Sequence, residues 1–212
     1  MVDVLFQNAV AFTLAQEGGW SDDPADPGGA TMYGITLLVF RAWRHDPRTT
    51  PDELHAISMA EVDAIYEGLY WNPVRGSSLL PGVGLAVFDA AVNLGVRRAA
   101  MLLQRSVGVT EDGAIGPDTL NAIIRVTPGT LLARLSGERE AFYRSCKEFP
   151  IFGRGWLARN QACFSAACRM AHLPTRMQAS LEPAAKPPAP MSADECNAEE
   201  LARLADMSSG AA

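Results

Sequence analysis

Apolar residues recur at helical spacing over most of this chain, which predicts a mainly α-helical protein. Val4, Leu5, Ala9, Phe12 and Leu14 follow that spacing from residue 3 onward. Two hydroxyl-x-x-Glu capping boxes, Thr50 to Glu53 and Ser58 to Glu61, mark helix starts. A long run from Gly82 to Gly95 is apolar apart from Asp89 and Asn93.

The first helix meets no Gly or Pro before Gly18, and Gly18 and Gly19 are expected to stop it by taking the left-handed conformation of a C-cap. Glu17 then stands at the helix exit. The negative end of the helix dipole and the apolar neighbours Phe12, Leu14 and Trp20 both oppose its ionisation. A carboxylic acid kept protonated in this way can protonate a leaving glycosidic oxygen. An acidic loop with Asp22, Asp23 and Asp26 follows, made rigid by Pro24 and Pro27 and turning at Gly28-Gly29. The segment from Ala30 to Thr36 is expected to form a strand or extended lip. One acid in a dry pocket and a second on the facing loop is an arrangement suited to glycoside hydrolysis.

Pro51 at the first helical position strengthens the helix start at Thr50. The helix after Ser58 turns Val62, Ile65, Tyr66 and Leu69 inward and ends at Tyr70-Trp71-Asn72-Pro73. Rings beside amides suit a sugar site, since pyranose CH faces pack on aromatics; the same pair could instead close the core. In the next helix Asp89 and Asn93, four residues apart, share one face. Such buried polar groups need partners, and the reading taken is that they support the Glu17 loop. Asp112-Gly113 makes a tight turn, and Gly116-Pro117 opens a helix with Leu120 and Ile123 inward. A helix from Thr127 to Lys147 turns Leu131, Leu132, Leu135, Phe142 and Tyr143 inward. Phe149 to Asn160 is expected to be a turn into a final helix. From Pro174 the composition shifts to a Pro/Ala-rich tail that reads as disordered.

The stretch Glu17-Gly18-Gly19-Trp20, Asp26-Pro27-Gly28-Gly29-Ala30-Thr31, Tyr33-Gly34-Ile35-Thr36 resembles the N-acetylmuramidases of glycoside hydrolase family 108, found among phage endolysins and secretion-associated muramidases. The resemblance implies a lysozyme-like helical fold that cleaves the β-1,4 bond between N-acetylmuramic acid and N-acetylglucosamine, with Glu17 as the catalytic glutamate. Asp26 stands nine positions after Glu17, the offset between the catalytic Glu and Asp of phage-type lysozymes, which makes it the candidate base; Asp22 and Asp23 are neighbouring alternatives. Thr31, Tyr33, Thr36, Tyr70, Trp71 and Asn93 are the substrate-binding positions this resemblance suggests. Leu103 to Ala122 looks like the helical peptidoglycan-binding module common in wall hydrolases, and the Phe152-x-x-Gly155-Trp156-x-x-Arg159 element is also similar to one in the family. Trp156 is read there as packing and Arg159 as an ion-pair partner. The resulting organisation is a catalytic region at 1–94, a peptidoglycan-binding module at 95–173 and the tail at 174–212.

A net charge of −6 argues against nucleic acid as the main partner, since phosphate binding favours a basic patch. No segment approaches the apolar length of a membrane span, and Met1-Val2-Asp3-Val4 lacks the charged start of a signal peptide. The expectation is a protein made in the bacterial cytoplasm that acts on peptidoglycan in the periplasm after release by a holin or a secretion system. Cys146, Cys163, Cys168 and Cys196 read as free thiols, and neither they nor His45, His55 and His172 stand at metal-ligand spacing, so no metal or cofactor is expected. A catalytically silent wall-binding protein and a lytic transglycosylase, which yields anhydro products, are the alternatives.

Overall fold

The computed structural model describes residues 3–22 and 29–173. Asp23 and Asp26, Cys196 and the tail lie outside the described residues. Helix α1, Val4–Leu14, starts where the Asp3 side chain accepts hydrogen bonds from the Leu5 and Phe6 amides. Its exit differs from the expectation. Ala15 caps it in a right-handed conformation, and the amides of Gln16 and Glu17 bond back to Thr13 and Leu14 carbonyls. These bonds satisfy the terminal carbonyls, so no left-handed glycine is needed and neither Gly18 nor Gly19 has positive φ.

The expected lip is a small antiparallel hairpin, β1 Thr31–Met32 and β2 Ile35–Thr36, with Thr31 opposite Thr36 and Met32 opposite Ile35. Its two-residue turn has φ of 53° at Tyr33 and 74° at Gly34. Both values are left-handed, the conformation whose twist matches the strands of a tight hairpin. Ser21 pairs with Thr31 through two backbone hydrogen bonds of 2.8 and 3.0 Å, which tie the two ends of the acidic loop together.

Thr36 then caps α2, Leu37–Arg44. Both capping boxes are complete at α3, Pro51–His55, and α4, Met59–Tyr66. A π-helical turn, Glu67–Trp71, and a 3-10 turn, Gly76–Ser78, lead to α5, Val83–Leu94, which is buried along most of its length. There follow α6, Val96–Val107, α7, Pro117–Ile123, α8, Pro128–Ser145, and α9, Phe149–Met170. The expected turn over 149–160 is therefore helical. Pro150 falls in the first turn, where its missing N–H costs nothing, and the Phe149 ring packs over Gly153.

Helix α5 is the hub, packed by α1, α6, α8 and α9. Its apolar circumference explains this, because a helix hydrophobic all round must be covered on every side. Consequently the expected boundary at residue 94 separates two stretches of chain that share one continuous core.

Candidate active site

Glu17 sits three residues beyond α1 on a turn still hydrogen-bonded to that helix, and its side chain is about one-fifth exposed. Oε1 accepts a 2.8 Å hydrogen bond from Nη1 of Arg159 on α9. The sequence alone puts Glu17 in a dry pocket with apolar neighbours; the structure adds a guanidinium facing its carboxylate. Oε2 lies over Gly34, where a β-carbon would stand 3.1 Å from it and 3.2 Å from the Tyr66 hydroxyl. That hydroxyl donates to the Tyr33 carbonyl at 2.7 Å, so Tyr66 on α4 holds the hairpin turn against the acid.

Arg159 is itself held. Its Nη2 donates to Oδ1 of Asp89 at 2.8 Å, with Nε on the same carboxylate. Asp89 is fully buried and also accepts from Arg139 Nη1 at 2.7 Å and from the Thr13 hydroxyl at 3.2 Å. Arg139 donates onward from Nε to the Tyr143 hydroxyl, which donates to Oδ1 of Asn93. Two carboxylates and two guanidiniums from four segments thereby form one connected network behind the site.

Burial alone would raise the Asp89 carboxyl, but the charges of Arg139 and Arg159 outweigh it and hold the group below the ordinary carboxylate value. Burial likewise works against both guanidiniums, and the facing carboxylates more than offset it. Desolvation pushes the Tyr143 phenol up, which keeps its proton available for Asn93.

The residues singled out in the sequence fall into distinct places. Tyr33 and Thr31 lie on the hairpin beside Glu17, half-buried. Thr36 spends its hydroxyl on the Val39 amide at the start of α2. Tyr70 is half-buried with its ring 5.6 Å from that of Tyr66. Trp71 requires a correction: it is 1% exposed, packed between Phe6 and Phe88, and its indole N–H is shared between Asp3 and Ser77. A ring enclosed by the core offers no face to a sugar. Asn93 takes part through Tyr143 and Arg139, and the reading of Asp89 as support for the Glu17 loop agrees with its bonds to Arg159. Asp22 is exposed, and Asp26 lies outside the described residues.

Arg139 was missed, yet a signal existed. It falls four residues after Leu135 and four before Tyr143, a cation on the buried stripe of α8, and such a charge needs a buried partner. The hairpin turn over Glu17 had no comparable signal. Among the described residues no group of His, Cys, Asp or Glu could hold a metal ion, and Cys163 and Cys168 are buried free thiols.

The model of the family described as glycosyl hydrolase 108 matches residues 10–95, the stretch that supplies Glu17, the hairpin, Asp89 and Asn93. A solved structure, that of Brucella abortus SagA, is similar to this chain at 36% identity with a TM-score of 0.70; the match covers 78% of this chain and 95% of that one. The chain belongs to glycosyl hydrolase family 108. It is a glycoside hydrolase acting on peptidoglycan. A second model, described as a predicted peptidoglycan domain, matches residues 98–161 and includes Arg139 and Arg159. The ion pairs behind the acid of this family 108 protein therefore join its two matched regions. A comparison with curated proteins finds no match.

Proposed function

We propose that this protein is an N-acetylmuramidase that cleaves the β-1,4 bond between N-acetylmuramic acid and N-acetylglucosamine, with Glu17 as general acid. The observation that supports this most is the half-buried carboxylate of Glu17, oriented from one side by Arg159 and bordered on the other by the Tyr33-Gly34 turn. With Oε1 held by Arg159, a proton carried on Oε2 can pass to the glycosidic oxygen as the bond to the anomeric carbon breaks. Water then adds to that carbon and yields a reducing muramic end. Asp26, nine positions after Glu17 in the sequence, takes the proton of that water in this proposal. Delivery to the wall through a holin or a secretion system belongs to the same proposal.

Mass analysis of fragments released from purified sacculi tests the reaction. Reducing muramic ends are expected; anhydro ends would make the protein a lytic transglycosylase, and no release would leave it a silent wall binder. Glu17→Gln keeps the shape of the side chain and an oxygen for Arg159 but removes the acid, so turnover should fall by about a hundredfold or more while the fold is retained and Tm drops only slightly with loss of the ion pair. Sacculus clearance by that variant at the wild-type rate would remove Glu17 from the role.

A further inference from the structure

Helix α9 carries a row of residues that the support of Glu17 leaves unexplained. Phe152, Gly155, Trp156 and Arg159 stand at i, i+3, i+4 and i+7 and so share one side of the helix. Arg159 ends the row at the acid. By helical rise, Gly155 lies about 6 Å and Phe152 about 10 Å further along the axis, a span that two pyranose rings fill.

Packing does not account for Gly155. Glycine is among the poorest helix formers, and two other glycines of the helices have a packing reason: a β-carbon at Gly84 would press on the Gly76 carbonyl and Trp71, and one at Gly153 would strike the Phe149 ring. At Gly155 a β-carbon would meet nothing within 4 Å, and the residue is exposed. Bare backbone in open space is what close approach of a ligand requires. Rings border it along the row, Trp156 on the side of the acid and Phe152 on the side away from it. Phe152 is 55% exposed with its ring 6.0 Å from that of Trp156, and Trp156 is anchored by stacking on Tyr143 at 5.4 Å. Tyr143 in turn belongs to the network behind Glu17.

Resting on the reading of Glu17 as the acid, we infer that this row is a saccharide subsite: the glycan strand leaving the acid lies across Gly155 with a sugar face against Trp156 and Phe152. Uncharged rings and bare backbone suit the CH face of a pyranose, whereas the carboxylates of a stem peptide call for cations, and the row has none before Arg159.

The test uses the full chain with Gly155→Ala, Gly155→Leu and Phe152→Ala, each made in wild type and in Glu17→Gln. Probes are glycan strands of defined length, with and without stem peptides. Gly155→Ala should raise Tm by roughly 2–4 °C, because alanine gains helix propensity in open space. The same protein should bind peptide-free hexasaccharide less tightly. Gly155→Leu and Phe152→Ala should weaken that binding roughly three- to tenfold, with a smaller effect on a disaccharide. Unchanged hexasaccharide binding by the folded variants, or loss confined to peptide-bearing strands, would overturn the subsite. Binding measured in the Glu17→Gln background needs no turnover, so failure of the wild type to cleave glycan would count against the acid and not against the subsite.

Discussion

One carboxylate, that of Asp89, meets two guanidiniums and a hydroxyl at complete burial. Removing one member of such a cluster leaves uncompensated buried charge, which costs about 3–5 kcal/mol. Asp89→Asn should therefore lower Tm by about 10 °C or more and loosen Glu17 through Arg159. The pH dependence follows in sign. The Asp89 carboxyl is held below its ordinary value of 3.8 in the folded protein, so its contribution is complete above that value and is lost as pH falls through the lower, folded one. Tm of the wild type should hold down to about pH 4 and then decline, with this part of the acid limb missing in Asp89→Asn. With Glu17 as the proposed acid, Arg159 acts on the reaction through it. A lysine there has no planar fork to serve both carboxylates, so Arg159→Lys should lower kcat by about tenfold with little change in KM. An equal rise in KM would instead give Arg159 a substrate contact. Gly34→Ala combines a left-handed φ of 74° with a β-carbon 3.1 Å from Glu17 Oε2. Activity should fall further than the roughly 1–2 kcal/mol backbone strain alone would explain, as paired melting and rate measurements would show.

Helix starts carry much of the local specification. Thr50 and Ser58 each accept from the third helical amide while Glu53 and Glu61 return the bond, so Thr50→Ala or Ser58→Ala should cost about 1 kcal/mol, or roughly 2–4 °C in Tm, at unchanged kcat. Loss of activity from either change would mean that α3 or α4 positions the site more directly than through stability. These starts were legible because a capping box is a short-range chemical pattern. The start of α9 was not, since Pro150, Gly153 and Gly155 look like turn residues until Phe149 is seen packed over Gly153. Similarly, Trp71 looked suited to a sugar until Gly76 and Gly84 proved to have room for its ring.

Helix α5 is covered by α1 on one side and by α8 and α9 on another, so the core needs both matched regions. A fragment from about Gly95 to Leu173 would expose those faces and leave Arg139 and Arg159 without Asp89. It is expected to lack cooperative thermal unfolding alone and to regain helicity when the 1–94 fragment is added. A cooperatively folded fragment would show that the second region is a module in its own right.

Periodicity, caps and turn residues determined the helical class and most of the helix starts, and they placed Glu17 at the exit of the first helix, because each depends on neighbours a few positions apart. Asp89 and Asn93 at a four-residue spacing were visible for the same reason. Only the tertiary structure decided which cation meets Glu17, across 142 positions of chain, and which glycine admits its carboxylate. Those contacts arise from packing around α5, where distance along the chain no longer governs distance in space.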